Sequence, residues 1–200
     1  MCEKRDSLVW CLAAGLGLSK TAAPIGICYG RVANNLTSPS LVIDLLKSNN
    51  IRYACLFDAD PTTLKSFSGT RINLVIGAPN KILPSLASSP TNASLDWLRS
   101  NIFAHVTANQ VRYIAVGNEV LFLKDQFYTP YVVPAILNLY QALQTLGLTD
   151  SIKLSSPQAT SVVVNPYPTL FTSLNLVGLE ECLRNVERRM DMDMNRMLED

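Results

Sequence analysis

Glu119 is the residue of this chain best placed to do chemistry. It directly follows Asn118, and both close a short apolar run over residues 113–120, read Tyr-Ile-Ala-Val-Gly-Asn-Glu-Val. A carboxyl group can give or take a proton at an oxygen of a bound molecule. An adjacent amide can hold that molecule by donating and accepting hydrogen bonds. The run itself is rich in β-branched residues and stops at Gly117, the pattern of a buried strand that ends in a tight turn. An ordinary turn gives the same pattern, so the rest of the chain must decide between turn and site.

Other polar residues fall at comparable places. Tyr29, Asp58 and Asn80 each close a short apolar run. Asp58 has two readings, a second catalytic carboxylate or a carboxylate that caps its own loop. His105 has no His or Cys nearby and sits in a helical pattern, which reads as a helix residue and not a metal ligand. Cys2, Cys11, Cys28, Cys55 and Cys182 are too widely spaced for a metal site and are odd in number, so they make no disulfide framework. Cys28 and Cys55 read as small buried apolar residues. What remains is the chemistry of carboxyl and amide groups, which calls for no metal and no other cofactor.

The elements that must position these groups alternate. Short strands are expected at 25–29, 51–57, 72–77, 111–116 and 152–155. Between them, Ser38 followed by Pro39 opens a helix at 39–48, with Leu41, Val42, Leu45 and Leu46 at helical spacing. Asp60 caps a short helix at 61–67. A short helix follows at 81–87. A longer one starts at Ser94, with Leu95, Leu98, Ile102, Phe103 and Val106 on one face. Another covers 131–146, with Pro134 in its first turn and Gly147 ending it. Residues 161–164 read as a strand or a loop. Strand–helix alternation with short connections implies a parallel sheet, either a (β/α)₈ barrel or an open doubly wound sheet. Both bind ligands at the C-terminal ends of the strands. No Gly-rich phosphate loop follows the first strand, which counts against a nucleotide-binding sheet. Tyr29, Asp58, Asn80, Asn118 and Glu119 all stand at strand ends, and converging aromatic, amide and carboxyl groups suit a neutral, hydroxyl-rich ligand such as a sugar.

Composition sets the class. The chain has 200 residues, 48% hydrophobic and 16% charged, which describes one globular domain with a sizeable core. A net charge of +1 with mostly scattered bases offers no surface for nucleic acid. The bases between 184 and 189 alternate with acids and read as a solvated helical face. Lys4 and Arg5, an apolar run at 8–18 and the small residues Ala22 and Ala23 have the order of a secretory signal peptide, so residues 1–23 are expected to be cleaved. A first core helix is the alternative. The run is too short to span a bilayer well, and no transmembrane segment is expected. Two glycosylation sequons, Asn35-Leu-Thr and Asn92-Ala-Ser, lie in loop-like stretches and agree with a secreted chain. Nothing in the sequence indicates an oligomeric state.

Seven pieces in order resemble the family 17 glycoside hydrolases, in particular the plant endo-1,3-β-glucanases. They are Ile-Gly-Ile-Cys-Tyr-Gly at 25–30, Val-Ala-Asn-Asn-Leu at 32–36, Leu-Leu-Lys-Ser-Asn-Asn-Ile at 45–51 and Leu-Phe-Asp-Ala-Asp at 56–60. Val-Ile-Gly-Ala-Pro-Asn at 75–80, the run at 113–120 and Ile-Lys-Leu-Ser-Ser at 152–156 complete them. The resemblance implies an α/β (β/α)₈ TIM barrel that cleaves β-1,3-glucan with retention, in the cell wall or apoplast. It makes Glu119 the general acid/base, with Asn118 contacting the sugar at the cleavage point and Tyr29 and Asn80 lining the same cleft. A retaining mechanism also needs a second carboxylate as nucleophile. In the family this is a Glu within Ser-Glu-Thr/Ser-Gly-Trp-Pro, and no such motif occurs here: the Trp residues, Trp10 and Trp97, follow no Glu-x-Gly. After about residue 170 the chain departs from the family. The expectation is therefore an incomplete barrel over 24–170, with about five βα units and the last strands missing, and a divergent charged tail at 171–200. An inactive β-glucan-binding or interaction protein of the same fold is the alternative to an enzyme.

Overall fold

The computed structural model describes residues 26–88, 92–122 and 127–158, together with the backbone at 163–164 and 173–174. The expected signal peptide, Cys2, Cys11, Cys182 and most of the expected tail lie outside the described residues.

Five parallel strands form one sheet: β1 (Gly26–Tyr29), β2 (Tyr53–Leu56), β3 (Asn73–Ala78), β4 (Val111–Val116) and β5 (Lys153–Ser155). Their spatial order is β1-β2-β3-β4-β5, the order of the chain. An open doubly wound sheet reverses direction at a switch point, whereas a barrel wall winds one way throughout. The sheet winds one way. Of the two closures the sequence left open, the described residues build the barrel wall. A further short pair, β6 (Val163–Val164) and β7 (Ser173–Leu174), is antiparallel and separate from the main sheet. The stretch expected as strand or loop at 161–164 therefore includes a strand.

The register gives each face its character. Tyr29, Leu56, Ile76, Ile114 and Leu154 are partners across the five strands and so share one face. That face is packed by the helices, with Leu56, Ile76 and Ile114 no more than 2% exposed. The next row, Cys28, Cys55, Val75 and Tyr113, points the opposite way. There Cys28 is exposed, Cys55 half-buried and Tyr113 37% exposed. The reading of the two cysteines as buried is thus corrected: alternation along β1 and β2 turns both away from the helices. Val111 and Ile114 both reach the packed face although three residues apart, because the β3–β4 register shifts between Leu74 and Val75. The bulge leaves Arg112 unopposed, and its Nε donates to Asn73 Oδ1 at 2.9 Å.

The helices are α1 (Pro39–Ser48), α2 (Pro61–Phe67), α3 (Leu83–Ser88), α4 (Asn92–Trp97) and α5 (Thr129–Thr145). Ser38 stands at the α1 cap position with extended backbone, but its hydroxyl pairs with Ser40 and not with a helix N–H. Asp60 caps α2 as expected, accepting from the Thr63 N–H at 2.8 Å. The long helix expected from Ser94 is α4, which starts at Asn92 and continues as a π-helical turn, Leu98–Phe103. Its apolar face holds, with Leu98, Ile102 and Val106 buried. Asn92, expected in a loop, is therefore helical. Helix α5 begins two residues earlier than expected, which puts Pro134 inside the helix.

Candidate functional site

The ends of β3, β4 and β5 meet around Glu119. Chain direction makes this the C-terminal edge of the sheet, where barrel enzymes carry their chemistry. Gly117 leaves β4 at φ +74°. A Cβ there would stand 2.7 Å from Val120 Cγ2 and 3.1 Å from Leu83 Cδ1, so the position excludes a side chain by conformation and by space. Its N–H donates to the Ala78 carbonyl at 2.9 Å, extending the β3–β4 ladder by one bond past the strand.

Asn118 is held by Asn80. The Asn118 N–H donates to Asn80 Oδ1 at 2.6 Å, and Asn80 Nδ2 donates to the Asn118 carbonyl at 3.0 Å. The side-chain amide thus acts as one more peptide group across the β3–β4 gap. The Asn118 side chain is left exposed at the rim.

Glu119 has φ +50°, a left-handed conformation that costs a residue with a Cβ about 1–2 kcal/mol. Its N–H donates to the Pro157 carbonyl beyond β5 at 2.9 Å. Two residues on, the Leu121 N–H donates to Gln158 Oε1 at 3.0 Å. The residue is half-buried, and no described residue hydrogen-bonds or ion-pairs with its carboxylate. Three strand ends fix the backbone at 118–119 while no described residue engages the carboxyl, and strained backbone of this kind tends to mark function.

The structure brings together Asn80, Asn118 and Glu119. It does not bring Tyr29 to them. Tyr29 lies on the helix-packed face, its ring 6.4 Å from that of Phe67, and its buried hydroxyl has no hydrogen-bond partner among the described residues. It borders a separate cavity of about 220 Å³ with Arg31, Phe57, Asp58 and Thr63. Asp58 caps its own loop, its Oδ1 accepting from the Asp60 N–H at 3.3 Å. Asp60 accepts from Thr63 and from Arg31, and its carboxyl is held below the ordinary value of 3.8, chiefly by the Thr63 hydroxyl and then by the Thr63 N–H and the Arg31 charge against some opposing burial. Among the described residues no group of His, Cys, Asp and Glu could hold a metal, and no helix is long and apolar enough to cross a membrane. The sequence reading missed the Pro157 carbonyl, Gln158 and the clamping role of Asn80. Gly117 before Asn118 was the one local signal. A carbonyl at residue 157 leaves no trace in residue type.

A one-way parallel barrel wall with a backbone-clamped carboxyl at its C-terminal edge defines the class: a barrel of the kind that hosts hydrolases. The chain belongs to the glycosyl hydrolases family 17, whose sequence profile matches residues 25–176. A glucan endo-1,3-beta-glucosidase of Vitis vinifera is 41% identical over 148 residues, 74% of this chain and 43% of the relative. Another, from Nicotiana tabacum, is 34% identical over 161 residues, 80% of this chain and 45% of the relative. Among solved structures, CJP38, a beta-1,3-glucanase and allergen of Cryptomeria japonica pollen, superposes with a TM-score of 0.74 at 32% identity. It covers 84% of this chain and 53% of that one. One of two plant beta-glucan endohydrolases with distinct substrate specificities gives 0.67 at 37%, covering 75% and 47%. The chain spans somewhat less than half the length of the curated relatives it matches.

Proposed function

We propose that this chain handles β-1,3-glucan at the C-terminal edge of its sheet, with Glu119 as the general acid/base of retaining endo-hydrolysis. The observation that carries the reading is the placement of Glu119: a carboxyl-bearing residue beyond β4 whose own backbone, and that of Asn118 before it, is bonded to the ends of β5 and β3, in a member of family 17. In the complete two-carboxylate reaction this acid would protonate the glycosidic oxygen as a nucleophilic carboxylate bonds to the anomeric carbon, then take a proton from the water that releases the sugar. Asn118, exposed beside it, is the amide for the sugar at the cleavage point. Asn80 acts through Asn118 and is a positioning residue.

Retention also needs a second carboxylate about 5–5.5 Å from the first. The sequence contains no Ser-Glu-x-Gly-Trp-Pro segment to supply it. These 200 residues are therefore proposed to bind glucan without turning it over. The expected result is retention on insoluble β-1,3-glucan, weakened by Asn118→Ala, with reducing-end release from laminarin-type glucan at background. Turnover that Glu119→Gln abolishes would overturn the second half of this reading, and absence of retention would overturn the first. Secretion to the cell wall, with removal of residues 1–23 and addition of N-glycan, is part of the same proposal, supported by the order of basic, apolar and small residues at the N-terminus.

A further inference from the structure

We propose that, of the two sequons, Asn35 is the glycan acceptor and Asn92 is not, and that the Asn35 glycan stands over the rim that carries Glu119. The two sites look alike as sequences and differ in the fold. Residues 30–38 form no helix or strand, and Asn35, Leu36 and Thr37 are all exposed. An acceptor Asn must present its amide together with the hydroxyl two residues on, and Thr37 offers that hydroxyl at the surface. Asn92 is the first residue of α4, and the hydroxyl of its sequon belongs to Ser94, which is 0% exposed. Ser94 Oγ is closed in the core and has no hydrogen-bond partner among the described residues. Where glycan transfer competes with folding, formation of α4 withdraws the second group of that sequon, whereas folding leaves the first sequon open to transfer at any stage.

Placement gives the Asn35 glycan a consequence. The 30–38 loop leaves the C-terminal end of β1, and Glu119 follows the C-terminal end of β4 in the same parallel sheet. Three strand spacings, about 14 Å, separate the two strand ends from which the loop and Glu119 depart. A branched N-glycan outspans that distance, so it screens the rim from a polymer more than from a short oligosaccharide. This second half rests on the glucan reading; the acceptor assignment does not.

The test uses the full chain made in a eukaryotic secretory host, with glycan occupancy read by mass before and after peptide N-glycosidase treatment. Reading whole-cell protein as well as secreted protein keeps a poorly folding variant informative. One glycan is expected, lost in Asn35→Gln and in Thr37→Ala and kept in Asn92→Gln. A chain without glycan, or one whose glycan disappears in Asn92→Gln, overturns the assignment. In the second arm the Asn35→Gln protein is expected to be retained on insoluble β-1,3-glucan several-fold more strongly than the glycosylated protein, with no difference for a short oligosaccharide. Equal retention overturns the screening. Retention of neither form overturns the glucan reading and the screening with it, while the mass shift still decides the acceptor.

Discussion

Glu119 combines an unfavourable backbone with a side chain that no described residue engages, and the bonds that hold it come from residues that do no chemistry. Asn80 is the clearest of these. Each of its two bonds to Asn118 lies near the surface, where water replaces a lost partner, so each contributes roughly 0.5–1.5 kcal/mol. Asn80→Ala is therefore expected to lower unfolding stability by about 1–2 kcal/mol in urea titrations. Asn80→Asp keeps the acceptor for the Asn118 N–H and loses the donor, so it should fall between the two. Equal stability of all three proteins would show that the clamp is incidental. A sequence reading can nominate Asn80 as a strand-end polar residue, and did. It cannot tell a side chain that faces a ligand from one that substitutes for a peptide group, because both need the same amide.

Helix α2 shows what an element's ends contribute. Asp60 caps it, pairs with Arg31 and is bonded by the Thr63 hydroxyl. All three favour the charged carboxylate, so its folded pKa lies below that of the unfolded chain. The stability it adds is present above pH 4 and is lost as the pH falls below 3.8. Asp60→Asn should thus be less stable than the parent at pH 6 and should converge with it near the acid end, as followed by denaturant midpoints at a series of pH values. A gap that persists unchanged at pH 2.5 would assign the effect to packing. The Asp60 cap was readable because Asp before Pro at a helix start has a local cause. The placement of Cys28 and Cys55 on the face away from the helices was not, since a four-residue apolar strand does not announce which face its neighbours leave open. Pro134 inside α5 shows the same limit: the apolar spacing marked the helix, but its start two residues earlier, at Thr129 with Pro130 next, lies outside that periodicity.

For the whole molecule, stability is concentrated in the middle of the sheet. Strands β3 and β4 are paired on both sides and carry fully buried Leu74, Ile76, Ile114 and Val116. Strand β1 is paired on one side and its residues are at best half-buried. Strand β5 is the other edge, three residues long and as open, so amide hydrogen exchange should be slowest in β3 and β4 and fastest in β1 and β5. Uniform protection across the sheet would contradict this gradient. The barrel architecture itself was legible once strand–helix alternation was set beside the ordered strand-end pieces. The direction of winding needed the sheet order, which alternation alone leaves undetermined.

That sheet order bears on how the chain reaches its native state. In the five-stranded sheet each strand after β1 pairs with the strand just before it in sequence, so among the described residues none of these strands must wait for a distant partner to be synthesised. Each loop closed is that of one βα unit, and the entropy cost of closing it grows only slowly with length. The sheet can therefore assemble vectorially as the polypeptide leaves the ribosome, β1 against β2 and then β3, with Asn80 in place before Asn118 emerges to meet it. The clamp beneath Glu119 is the last local event of that sequence but one: its final bond waits for β5 and the Pro157 carbonyl.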